Sequence, residues 1–147
     1  MATGTVIADL LAAGTEDWLD MTDIISSLID IEGLTKNQPE LLRERTLDVV
    51  ERLLAGGLME AGLTPDTGTT FLAWDLGVQE TMARIVYLWD HLRNVHGEPA
   101  QLPRMGDICY LANTPIGNEI GELLLTLGYT EAFEAGRIPL EPPPEST

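Results

Sequence analysis

The chain has one cysteine, Cys109, among 147 residues. A single thiol excludes an internal disulfide and fits a reducing compartment. Basic residues are also scarce: 8 Lys and Arg stand against 24 Asp and Glu, for a formal net charge of −16. Such a balance repels phosphate backbones, keeps a protein soluble and favours basic partners. No apolar run approaches the roughly 20 residues that span a bilayer, so no membrane association is expected. The opening stretch, MATGTVIADLLAAGTEDW, has no basic residue before its short apolar run. A secretory signal needs one, so a cytoplasmic protein is the expectation.

The rest of the composition is that of an ordinary globular chain, with 44% hydrophobic and 22% charged residues. The length suits one domain with a real core. Val6, Ile7, Leu10 and Leu11 recur at helical spacing and stop at Gly14. Trp18-Leu19 reads as a very short strand or as the lead-in to the next helix. Asp20 or Thr22 can cap a second helix holding Ile24, Ile25, Leu28 and Ile29, ended by Gly33.

The central stretch runs from Asn37 to Trp74. Asn37 is a plausible cap for a third helix, with Pro39 in its first turn, where a missing N–H costs little. Leu42, Thr46, Leu47, Val49, Val50, Leu53 and Leu54 fall on one arc of that helix, and Gly56-Gly57 stops it. Leu58 to Leu63 reads as a strand, Pro65-Asp66-Thr67-Gly68 as a turn, and Thr69 to Trp74 as the return strand.

Asp75 or Gly77 opens a fourth helix to about Val95. Its stripe of Val78, Met82, Ile85, Trp89 and Leu92 predicts a core face, with Tyr87 on the opposite side. Gly97 to Gly106 reads as a loop. Asp107 would cap a short helix through Leu111, and Thr114-Pro115 would break it. Asn118 would cap a last helix holding Ile120, Leu123, Leu124 and Leu127, closed by Gly128, with one more turn over 130–135. From Pro139 the acidic, proline-rich end reads as a disordered tail.

This order of elements, from about Thr5 to Asp75, resembles the winged helix-turn-helix superfamily. The matching stretches are Pro39 to Ala55 for the third helix and Leu58 to Trp74 for the wing. The resemblance implies a mainly α fold with a small β-hairpin: three helices plus a wing, then a long amphipathic helix and a short C-terminal helical appendage. The expected division is a core over 1–95, an appendage packed on it over 96–138, and the tail over 139–147. The third helix in such DNA-binding domains enters the major groove and the wing touches backbone.

Candidates for chemistry are few. Cys109 with His91 or His96 could supply part of a nucleophile–base pair, but the context Ile108-Cys109-Tyr110-Leu111 suits a buried thiol acting as a small hydrophobe. Asp90, His91, His96 and Glu98 lie close in sequence, yet His91 and His96 are five apart. Two ligands on one helix face want a spacing of four. Gly56-Gly57 and Pro115-Ile116-Gly117-Asn118 lack the spacing of a phosphate loop and serve as helix stop and start. No catalytic residue, metal or cofactor is expected, and the protein is not expected to be an enzyme.

Charge separates two macromolecular readings. Residues 1–35 carry seven acids and no base. Residues 36–64 hold Lys36, Arg43, Arg45 and Arg52, half of all the bases. A DNA-binding regulator, dimeric through its fourth or C-terminal helices, would use those four cations. Against it, Arg52 follows Asp48 by four and Arg43 follows Glu40 by three, spacings that favour local pairing, and the wing carries no base. The leading expectation is therefore a small acidic protein that binds another protein, in the manner of immunity proteins, antitoxins or phage inhibitors, whose targets are often basic. Asp17, Asp20 and Asp23 would steer the partner, and Tyr87 and Trp74 would anchor it.

Overall fold

The computed structural model describes residues 5–64, 70–96 and 108–127, without the side chains of 92–96 and 127. Its first helix, α1 (Val6–Ala13), opens where the Thr5 hydroxyl accepts the Ala8 N–H at 3.2 Å. Val6, Ile7, Ala8, Leu10 and Leu11 are all buried, so this helix is apolar nearly all round and lies inside the protein. Its polar exception, Asp9, accepts a 2.8 Å hydrogen bond from Ser27 of the next helix.

Strand β1 (Leu19–Asp20) leads directly into α2 (Met21–Glu32). Asp20 caps α2 with a reciprocal box: its carboxylate accepts the Thr22 and Asp23 N–H groups, and Asp23 accepts the Asp20 N–H at 2.9 Å. Gly33 ends α2 in the left-handed region, φ 75°, where glycine carries no Cβ penalty. Helix α3 (Pro39–Ala55) is preceded by Gln38, not capped by Asn37 as expected. The Gln38 side chain turns back to accept from the Thr35 N–H and hydroxyl, bracing the α2–α3 turn. Leu42, Thr46, Val49, Val50 and Leu53 form the buried α3 face, as the periodicity predicts.

After Gly56-Gly57 the chain forms β2 (Met59–Leu63) and β3 (Leu72–Ala73). The return strand is shorter than the expected 69–74, although Trp74 N–H still donates to Ala61 O at 2.9 Å. The turn at 65–68 lies outside the described residues. Helix α4 (Val78–His96) follows, its Ile85 and Trp89 fully buried and Tyr87 exposed. None of the described helices is long and apolar enough to cross a membrane.

The largest departure from the sequence reading comes next. The expected short helix through Leu111 is instead strand β4 (Tyr110–Asn113), followed by α5 (Pro115–Leu127). The sheet is antiparallel in the order β1-β4-β2-β3, so β4 enters its middle and a hairpin becomes four strands. Leu111 stands between Leu19 and Ala61 on the core face of the sheet, all three at most 5% exposed. Strand β4 and α5 are thus integral to the core and not an appendage lying on it. Helix α5 starts earlier than Asn118: the Thr114 hydroxyl accepts the Gly117 N–H at 3.1 Å, and Pro115 fills the first turn. Gly117 and Gly121 then let α5 approach backbone closely. A Cβ at Gly117 would lie 2.0 Å from Leu58 O, and one at Gly121 would lie 2.4 Å from Leu11 O. The expected turn at 130–135 and the tail lie outside the described residues.

Candidate functional site

Two surfaces carry the residues that the sequence singles out. The first is the polar side of α3. Its broad apolar arc buries one side of the helix, which leaves Arg43, Arg45 and Arg52 beside the neighbouring helices. Arg43 reaches α4 and donates to both Asp90 carboxylate oxygens at 3.1 Å. Arg45 reaches α2, where it donates to both oxygens of Glu32 at 2.9 and 2.6 Å, and it also pairs with Asp48. Arg52 pairs with Asp48 at 3.3 Å, one turn back on its own helix. Bidentate guanidinium–carboxylate pairs fix geometry as well as charge. All three arginines are therefore partnered, two of them across helix interfaces, and Asp48 is shared by two. Lys36 is exposed in the α2–α3 turn.

The expected aromatic anchors lie on α4 and directly after β3. Tyr87 is 66% exposed and stacks with His91, ring centroids 5.7 Å apart. Trp74 is half-buried and lies under the Arg84 guanidinium, 4.8 Å from its ring centroid. Neither stands beside Asp17, Asp20 and Asp23 in the register.

The second surface is the sheet face turned away from the core. Strand alternation fixes its members. Asp20, Tyr110, Gly62 and Ala73 are mutual partners in register, forming one row across all four strands. Glu60 stands opposite Ala112 in the next row. Trp18, two residues before Asp20, projects to the same side and stacks obliquely on Phe71 at 5.8 Å. Phe71 lies over Gly62: a Cβ there would meet Leu72 O at 2.2 Å and the Phe71 ring tip at 2.8 Å, so glycine makes room first for the facing backbone and then for the aromatic. Trp18, Phe71 and Tyr110 are each half-buried, whereas Glu60 and Ala73 are exposed.

A cleft of about 380 Å³ opens at the edge of this face, lined by Glu16, Asp17, Trp18, Ala112, Asn113 and Asn118, with Gly14 and Thr15 at its back. Its floor is held by Asn113, whose side-chain amide donates to Leu11 O at 3.0 Å and to Asn118 Oδ1 at 3.1 Å. Asp17 accepts the Trp18 backbone N–H at 2.8 Å. Partial burial, with the neighbouring Asp20 and Asp17 charges, pushes the Asp23 carboxyl above its ordinary range against a lowering hydrogen bond from the Asp20 backbone. Among the described residues no ion pair involves Glu16, Asp17, Asp20, Asp23 or Glu60.

The sequence singles out Asp17, Asp20 and Asp23, and the structure places Trp18, Tyr110 and Glu60 on the sheet face that carries Asp20. The alternation Trp18-x-Asp20 held part of the signal for that placement. The strand that brings Tyr110 to Asp20 did not stand out, because a four-residue apolar run fits helix and strand equally.

The other candidates are accounted for by structure. Cys109 is fully buried, and burial pushes its thiol up to about 12, with the Asp20 charge adding to the effect. Asp90 holds Arg43 and His91 lies on Tyr87, while the His96 side chain and Glu98 lie outside the described residues. Among the described residues no three His, Cys, Asp or Glu side chains gather as a metal site. Gly56 follows the last turn of α3, and 115–118 form the first turn of α5. Comparison with known protein families, with characterised proteins and with solved structures finds no match for this chain.

Proposed function

We propose that this is a small, non-enzymatic acidic protein that acts by binding another protein of basic charge, in the manner of an immunity protein, antitoxin or phage inhibitor. The observation that carries the reading is the unequal use of charge. Arg43, Arg45 and Arg52 are engaged by Asp90, Glu32 and Asp48. The carboxylates around β1 have no cation partner among the described residues, so a basic partner would supply what the fold does not. Long-range attraction would speed encounter, and burial of an aromatic side chain would hold the complex.

A winged-helix core remains part of this reading. The order α1-β1-α2-α3-β2-β3 supports it, and the insertion of β4 between β1 and β2 is a departure from a plain helix-and-wing design. The rival, a dimeric DNA-binding regulator, would use Lys36, Arg43, Arg45 and Arg52. Counterion release demands cations available to phosphate, and three of these four are held by carboxylates of the same protein.

Affinity capture from the native host tests the proposal, with protein and nucleic acid both identified. The wild-type protein and the Arg45→Ala/Arg52→Ala variant should retain the same basic protein. Recovery of sequence-specific DNA instead, lost from the arginine variant, would overturn it.

A further inference from the structure

We infer that the outer sheet face, bounded by Trp18, Tyr110 and Phe71 and rimmed by Glu16, Asp17, Asp20 and Glu60, is the docking site for an arginine-bearing segment of the partner protein. This rests on the protein-binding reading and adds to it a place and a chemistry.

Three features select the occupant. Charge is the first: four carboxylates surround the face without a cation among the described residues, so an anionic or nucleic-acid ligand is repelled and a cation is drawn in. The aromatic surface is the second. An indole and a phenol, both half-buried, offer rings that attract a cation placed over them. Trp18 packs against Phe71, which limits the freedom it loses when a ligand lands on it. The third is shape. Phe71 covers Gly62 and Trp18 packs against Phe71, so the open space lies beside Trp18 at the edge of the face. A planar guanidinium can stack on the rings while its N–H groups reach carboxylates in the fork geometry it prefers, and it sheds water more readily than an ammonium group. The cleft beside Trp18, about 380 Å³, is of a size to receive such a side chain.

Two of the four rim acids, Glu16 and Glu60, also differ from the acids that the fold itself uses, among them Asp20, which caps α2, and Asp17, which accepts the Trp18 backbone N–H. Glu32, Asp48 and Asp90 are spent on α3 arginines. Glu16 and Glu60 are exposed and make no side-chain hydrogen bond among the described residues, so neutralising them leaves the fold alone.

The test is a titration of the full-length protein, followed by amide and indole NMR shifts, with a capped peptide of three arginines spaced by glycine. The expected result is saturable binding with the largest shifts at the Trp18 indole, Glu60 and Tyr110. Glu16→Gln/Glu60→Gln should weaken it about fivefold or more. Glu44→Gln/Glu80→Gln, which removes equal charge from α3 and α4, should change it less than twofold. Equal weakening by both pairs would overturn the inference, because net charge alone would then explain binding. Shifts centred on Asp30 and Glu44 would overturn the sheet-face site while leaving the acidic-protein reading standing. No shift anywhere would overturn both.

Discussion

The polar side of α3 and the outer sheet face are both rich in carboxylates, yet they put them to opposite use. On α3 each guanidinium meets an acid, and the pairs tie α3 to α2 through Glu32 and to α4 through Asp90. Around β1 the acids meet no described cation, and half-buried aromatics stand among them. Charge that is internally matched holds a fold together. Charge left unmatched beside an aromatic surface is available to a partner. A count of bases along the sequence gives α3 the appearance of a binding helix, because it cannot see where the matching acids lie.

The two faces can be broken separately. The largest effect is expected where the sheet face is assembled. Gly117→Ala drives a methyl into Leu58 O and should cost about 3 kcal/mol by overpacking. Chemical denaturation should show it, with loss of the β4 amide protection that the outer face depends on. A stability within 0.5 kcal/mol of wild type, an order-of-magnitude margin for innocuous changes, would mean that α5 does not pack against the Gly57–Met59 backbone as described.

Next comes the matched face. Arg43→Ala leaves Asp90 without its bidentate partner, and Arg45→Ala does the same to Glu32. These side chains are a fifth to two-fifths exposed, so solvent screens the pairs. A loss of about 1 kcal/mol each is expected by denaturation. Affinity for the arginine peptide should stay within twofold, since these residues lie away from the sheet face.

A smaller effect concerns pH. Burial pushes the folded Cys109 thiol up to about 12 from its ordinary value of 9.0. Its folded pKa is raised, so its contribution is full below about pH 9 and is lost as pH rises towards about 12. The denaturation midpoint should therefore fall more steeply over that interval in wild type than in Cys109→Ala. Thiol reagents should modify Cys109 only after unfolding.

The smallest effect on stability is expected from Glu16→Gln/Glu60→Gln. Both groups are exposed, and the change should stay within about 0.5 kcal/mol. A substantial loss would mean that these acids serve the fold, and the distinction between the two faces would disappear.

Much of the helical framework was legible in the sequence. Leu42, Thr46, Val49, Val50 and Leu53 repeat with the helical period, and Ile85 and Trp89 anchor α4 as their spacing implies. Asp20 and Gly33 punctuate α2 by side-chain and backbone chemistry that is local in the chain. What was not legible is non-local. Ile108-Cys109-Tyr110-Leu111 is too short to declare a period, and its place between β1 and β2 depends on residues 90 and 50 positions away. Gly117 and Gly121 are four apart, a spacing that signals close helix approach, yet their partners Leu58 and Leu11 are set only by the fold. The ion pairs of Arg43 and Arg45 with Asp90 and Glu32 cross between helices, so spacing along α3 alone could not find them. The surroundings of Trp18 were hidden for the same reason: its neighbours Phe71 and Ala112 lie far along the chain.

The most direct measurement is DNA affinity across a salt series, using genomic fragments from the native host, for wild type and for Arg45→Ala/Arg52→Ala. With the α3 arginines matched internally and an overall charge of −16, no retardation is expected for either protein at low salt. Retardation by wild type whose salt slope flattens in the arginine variant would contradict the account and make α3 the functional face.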